Sequence, residues 1–267
     1  MLALISASVT LVNLLLSLAI GFRLYRLAWR EGGFGPEFWL AGFFLFAAFL
    51  GAGLNISVYA GLADPSLALS PFHGSLVLAA STFTYCAGTA GLHLFTWLTF
   101  RRESARARHA AVAGSLLVVA AACAQALTEG FTVTVFPGIA YWAFYLARVA
   151  PYYWLAAESL GYYASARRRV RLGLADPLVT NRFLLLGLWA VAWAAMGFSD
   201  IVARGIYVMV SGSTTELRLD TAGPIILTTI AITSAFGTLA AVTLGLSFFP
   251  TRAYRRFVES RAAAGRI

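Results

Sequence analysis

The sequence predicts an all-α integral membrane protein, a bundle of seven transmembrane helices with its N-terminus outside and its C-terminus in the cytoplasm. Three observations carry this. Of the 267 residues 60% are hydrophobic and only 12% charged, with a mean hydropathy of +0.78, a balance far from that of water-soluble domains. Apolar runs recur at about 2–22, 38–62, 75–100, 110–128, 133–165, 183–210 and 222–249, each near the roughly 20 residues that a bilayer-crossing helix needs. Arginines crowd into every second connection between them, which orients the chain.

The first run, LALISASVTLVNLLLSLAIGF, has no basic stretch before it and no A-x-A cleavage site, so it reads as a retained helix rather than a secretory signal. Arg23, Arg26 and Arg30 follow it, and GGFGPEF turns the chain into the second run, which ends in the turn-rich connector LADPSLALSPFHG. Arg101, Arg102, Arg106 and Arg108 follow the third run, and the fourth ends in the tight turn TEG. The fifth run leads to Arg167, Arg168, Arg169, Arg171 and Arg182, and the sixth to SGSTTELRLDTAGP, long enough for a small hairpin. Arg252, Arg255, Arg256, Arg261 and Arg266 follow the seventh. The opposite connections hold Asp64, Glu129, Glu216, Arg218 and Asp220. Because cytoplasmic loops carry the excess of basic residues, 17 of the 20 arginines are expected inside. Trp29, Phe34, Phe38, Trp39, Trp97, Phe100, Phe248 and Phe249 gather near the run ends, as an interfacial belt does. The spans use up the chain, giving a single transmembrane domain over 1–267. No internal repeat supports an inverted-repeat transporter.

Composition also excludes functions. The net charge of +9 lies in short arginine clusters between apolar runs, which is the pattern of topology signals rather than of a nucleic-acid surface. There is no lysine, so no retinal Schiff base can form. Cys86 and Cys123 fall inside apolar runs without a CxxC motif, which argues against redox chemistry. His73, His93 and His109 are the only histidines and lie at different levels, so neither bis-histidine haem ligation nor a multi-histidine zinc site can be assembled. G-x-S-x-G, H-E-x-x-H and Gly-rich phosphate loops are absent. No cofactor is expected.

What remains is a set of polar groups inside the spans. The fifth run carries Arg148 and Glu158, and a mid-membrane arginine costs roughly 2.5–3.5 kcal/mol to insert, so it belongs in the bundle interior with a partner. At 100° per residue Tyr141, Tyr145, Arg148, Tyr152, Ser159 and Tyr162 share a face with Glu158 at its edge. On the sixth run Trp189, Trp193, Met196, Asp200, Arg204 and Tyr207 share another. A rise of 1.5 Å per residue places Asn55, Gln125, Arg148 and Asp200 together about 22–30 Å from the inner surface. It places Asn13, His93 and Glu158 about 10–14 Å from that surface. Opposite charges at one depth predict a buried pair of Arg148 with Asp200, against the alternative that Asp200 pairs with Arg204 one turn along its own helix. On the third run His93 shares a face with Thr82, Tyr85, Thr89 and Thr96, within reach of Glu158 for a proton relay. Thr228, Thr229, Thr233, Ser234, Thr238 and Thr243 on the last run read as groups that bond backbone carbonyls and pack helices.

The stretches GLHLFTWLTFRRES and ARRRVRLGLADPLVTNRFLLLG, set within seven spans, resemble the seven-helix membrane sensor modules that precede bacterial signalling domains. The resemblance implies a sensor in the inner membrane that acts through a membrane or cytoplasmic signalling partner. The residues point the same way, to a receptor whose pocket binds a small apolar or amphipathic ligand. The expected ligand-binding set is Arg148, Asp200, Tyr145, Tyr152, Trp193, Tyr85, Asn55, His93 and Glu158, with the lipid bilayer as the general partner. A small transporter or lipid-modifying enzyme using Glu158, His93 and Asp200, and a structural subunit of a larger complex, are the competing readings.

Overall fold

A computed structural model describes residues 2–63, 66, 69–131, 138–211 and 219–264. Among them the only regular structure is helical. The elements are α1 (Leu2–Arg30), α2 (Pro36–Gly42), a π-helical segment (Phe43–Gly51), α3 (Ala52–Ala63), α4 (Pro71–Phe100), α5 (Ala105–Thr128), α6 (Ile139–Arg171), α7 (Pro177–Ser211), α8 (Leu219–Phe248) and α9 (Arg252–Ala263).

Local chemistry sets the ends. Ser104 caps α5 by accepting from Ala107 N (3.2 Å), and Thr251 caps α9 by accepting from Tyr254 N (3.2 Å). Asp176 accepts from Leu178 N (2.7 Å) just before α7, whose first residue, Pro177, needs no amide partner. At the other end of α6, Gly173 adopts φ +69°, and Leu174 N bonds back to Arg169 O (2.8 Å), closing the helix. The expected hairpin over 211–224 lies outside the described residues for 212–218, and from Leu219 the chain is already helical; Asp64, Glu216 and Arg218 are likewise outside.

Neighbours in sequence pack as neighbours in space. α1 lies on α2 and the π segment, these on α4, α4 on α5, α5 on α6, α6 on α7, α7 on α8, and α8 returns to α1, while α4 also touches α6. Among the described residues six helical stretches are long and apolar enough to cross a membrane: Ile5–Arg30, Pro36–Val58, Pro71–Phe100, Ala105–Thr128, Pro177–Tyr207 and Gly223–Phe248. This is the build of a multi-pass membrane protein. The expected fifth span departs from that rule. α6 is a helix of 33 residues inside the ring, but its tyrosines, tryptophans, Arg148 and Glu158 hold its hydropathy below that of the other six. Mid-helix side chains such as Leu15, Leu116, Leu117, Leu146 and Phe198 point outward and exposed, as contact with lipid requires.

Where helices touch most closely, glycine is the reason. A Cβ at Gly88 would fall 2.5 Å from Ala47 N, and one at Gly91 would fall 2.6 Å from Trp39 O, so α4 meets α2 and the π segment backbone to backbone. Beneath lies an aromatic layer in which Phe43, Phe44, Tyr152, Trp189 and Trp193 pack edge-on, tilted or stacked at 5.2–5.9 Å. The threonine hydroxyls of α8 turn to their own helix: Thr228, Thr229, Thr233, Thr238 and Thr243 each donate to the carbonyl four residues back at 2.8–2.9 Å.

Candidate ligand cavity

The four groups that the sequence puts at one depth line a single cavity of about 510 Å³. α3 supplies Asn55, α4 supplies Leu78, Ser81, Thr82 and Tyr85, and α5 supplies Gln125, followed in the turn by Glu129, Gly130 and Phe131. Gly138, Tyr141, Phe144, Tyr145 and Arg148 come from α6 and its cap, and Asp200 and Arg204 from α7.

The rim is organised by Glu129. Its carboxylate accepts from Ala140 N (2.8 Å) and Tyr141 N (3.2 Å), which satisfies the first turn of α6 and sets a negative charge against the positive end of that helix. The same carboxylate lies against Gly138, where any side chain would collide with it. Along the wall Ser81 donates to Gly51 O (2.8 Å), tying α4 to the end of the π segment. Across the cavity Tyr145 Oη donates to Gly197 O (3.2 Å), tying α6 to α7.

Arg148 lies seven residues beyond Tyr141 on α6, about 10 Å further along the axis. Its guanidinium carbon stands 4.4 Å from the centre of the Tyr85 ring, 5.0 Å from Tyr145 and 5.9 Å from Phe144. These are cation–π distances. The expected ion pair with Asp200 is not formed. Asp200 Oδ2 instead accepts from Arg204 Nε at 3.2 Å, the i, i+4 partner, because a contact between adjacent turns of α7 needs no reach across the cavity. Among the described residues Arg148 has neither an ion pair nor a hydrogen bond, and three aromatic faces are what hold it.

The other predicted site residues separate from this group. Tyr152 and Trp193 stack on each other (5.9 Å, 17°) in the aromatic layer one turn past Arg148 and do not line the cavity. The proposed relay between His93 and Glu158 is not formed either. Glu158 accepts from Arg101 Nε at 3.0 Å on both oxygens and from Trp154 Nε1 at 3.3 Å, since the guanidinium at the end of α4 makes a charge-assisted pair with the carboxylate. His93 bonds through Nδ1 to Thr89 O (3.2 Å), packs near Trp154, and abuts Gly114. Asn13, of the same layer, donates to Val9 O and Gly237 O and serves packing.

Thus Asn55, Tyr85, Tyr145, Arg148 and Asp200 of the predicted set meet in the cavity, and Tyr152, Trp193, His93 and Glu158 do not. Glu129 and Ser81 were missed. Glu129 reads as a loop charge until the turn folds it back over α6, and Ser81 carries no signal apart from its place on the face of Thr82 and Tyr85. Compared with protein-family models, with curated proteins and with solved structures, the chain matches none of them.

Proposed function

We propose that the chain is an integral membrane receptor or sensor-like binding protein, with α6 as a seventh crossing helix, its N-terminus outside and its C-terminus in the cytoplasm of a bacterial-type inner membrane. The observation that carries the reading is a cavity restricted to one of the two polar layers. Its polar walls stop at the aromatic layer of Phe43, Tyr152, Trp189 and Trp193, and His93 and Glu158 beyond it take no part. A transporter needs access to its site from both sides, and an enzyme needs its acid and base in one place. A dead-ended cavity serves binding. Occupancy would bias the packing of α6 against α4 and α7, and the arginine-rich segments after α4, α6 and α8 would pass that change to a partner. The polar lining favours a ligand with a polar head over the wholly apolar one that composition alone allows.

Cysteine labelling tests this. In a Cys86→Ala, Cys123→Ala background, a Leu78→Cys side chain in the cavity wall should react with the neutral, membrane-permeant methyl methanethiosulfonate. With 2-sulfonatoethyl methanethiosulfonate, which does not cross the bilayer, it should react in right-side-out vesicles and stay unreactive in inside-out ones. Equal reaction in both orientations would favour the transporter reading. No reaction in either would favour a closed structural subunit.

A further inference from the structure

We infer that the ligand is a singly charged carboxylate, held by Arg148 at the inner end of the cavity; this rests on the receptor reading above and names the ligand's chemical class. The argument is one of charge and of unmet hydrogen-bonding capacity. Four ionisable groups of fixed sign line the cavity, and three already have partners among the described residues. Asp200 and Arg204 neutralise each other, and Glu129 is bound by the amides at the start of α6. Arg148 is left with one positive charge and five N–H donors, none of which bonds to a described residue. Its contacts are ring faces, which stabilise the cation while leaving the edge of the guanidinium, where its donors lie, free for an acceptor.

A second and independent observation lies on α5. Gln125 is only 8% exposed, and its side-chain oxygen is buried without a partner among the described residues in the wall of the same cavity. A buried amide left unpaired loses its hydration without compensation, so such a group in a cavity wall marks a place where a ligand completes the bonding. The arginine fork matches a planar carboxylate, two oxygens against parallel N–H groups, and the Gln125 amide, turned so that its NH2 takes the place of the unpaired oxygen, adds a donor to it. The count of charges limits the ligand to one negative charge. A dianion would neutralise Arg148 and leave its second charge without a cation, since Arg204 is taken by Asp200 and Glu129 lines the same cavity of about 510 Å³. Leu78, Phe131 and Phe144 supply apolar wall for the rest of the molecule. The carboxylate can come from a small acid in solution or from a fatty acid in the outer leaflet.

The Leu78→Cys protein described above, in phosphatidylcholine vesicles, reads the charge preference. The anionic reagent 2-sulfonatoethyl methanethiosulfonate should react at least about tenfold faster than the cationic 2-trimethylammonioethyl reagent, as a cavity focusing one sign of charge implies. Arg148→Gln should bring the ratio near one while leaving the rate of the neutral methyl reagent unchanged. Benzoate should protect the introduced thiol if the source is a small acid, and oleate if it is a fatty acid, which separates the two; inorganic phosphate should protect far less. Faster reaction of the cationic reagent, a ratio untouched by Arg148→Gln, protection by phosphate equal to that by a carboxylate, or protection by neither carboxylate would each overturn the inference. In all four the neutral reagent still reports an open cavity, so the inference falls while the receptor reading stands; that reading fails if the neutral reagent does not react or if the sidedness described above is lost.

Discussion

At the scale of the residue, Arg148 shows how the surroundings of a charge decide what it is for. Insertion of a mid-membrane arginine costs roughly 2.5–3.5 kcal/mol, and each well-placed ring returns about 0.5–2 kcal/mol of cation–π attraction. Tyr85, Tyr145 and Phe144 therefore offset much of the cost without any carboxylate. A stability prediction follows, opposite to what a buried pair of Arg148 with Asp200 would give. Arg148→Leu strands no carboxylate, because Asp200 has Arg204, so the melting temperature in detergent should stay level or rise rather than collapse. A double-mutant cycle sharpens this: coupling between Arg148 and Asp200 should be below about 0.5 kcal/mol, while Asp200 with Arg204, both partly exposed, should couple by roughly 0.3–1 kcal/mol. Coupling above about 1 kcal/mol between Arg148 and Asp200 would contradict the observed pairing. The sequence could supply the level of each group but not the choice of partner. Depth is a one-dimensional coordinate, and pairing depends on side-chain reach and on which neighbour is already bound.

At the scale of the element, the helices were legible from their apolar runs and the contacts between them only in part. The second run reads as one regular span over 38–62, yet the chain winds as a π-helix from Phe43 to Gly51. Nothing in FFLFAAFLG announces that, nor the close approach alongside it, where Gly88 and Gly91 bring the α4 backbone against Ala47 of the π segment and Trp39 of α2. π turns inside helices often accompany functional sites, and here the segment ends at Gly51, whose carbonyl takes the Ser81 hydroxyl at the cavity wall. Glycines of equal standing in the sequence thus differ in consequence. Gly88→Ala sets a methyl against the Ala47 backbone, which cannot step aside, and should destabilise by about 1–3 kcal/mol, as overpacking does. Gly161 lies on the exposed side of α6 with nothing within 4 Å of a Cβ, so Gly161→Ala should be neutral or stabilise by up to about 1 kcal/mol through helix propensity. Thermal melts of the two variants side by side check this; equal losses would show that α4 and the π segment are not packed as closely as described.

At the scale of the whole molecule, composition made the class legible. Hydrophobicity, run length and the outward-facing leucines all follow from the same need to satisfy lipid on the outside and polar groups within. Less legible was α6, whose aromatic and charged stripe makes it the least lipid-like helix of the ring because it faces the cavity and the aromatic layer. The stripe that marks it as the site is the same feature that lowers its hydropathy. This sets the last prediction. If α6 crosses the bilayer with the others, the connections after α4, α6 and α8 lie on one side with Arg101, Arg167 to Arg171 and Arg252 to Arg261, and Glu129 lies on the other. A six-span chain with α6 lying along the surface would put the segment before α7 on the side of Glu129. Reporter fusions separate the two. Green fluorescent protein joined after Leu174 and after Ile267 should fluoresce at both places, and alkaline phosphatase at both should be inactive, with the reverse pattern after Gly130. Phosphatase activity after Leu174 would remove α6 from the membrane, and with it the depth at which Arg148 meets Asn55, Gln125 and Asp200.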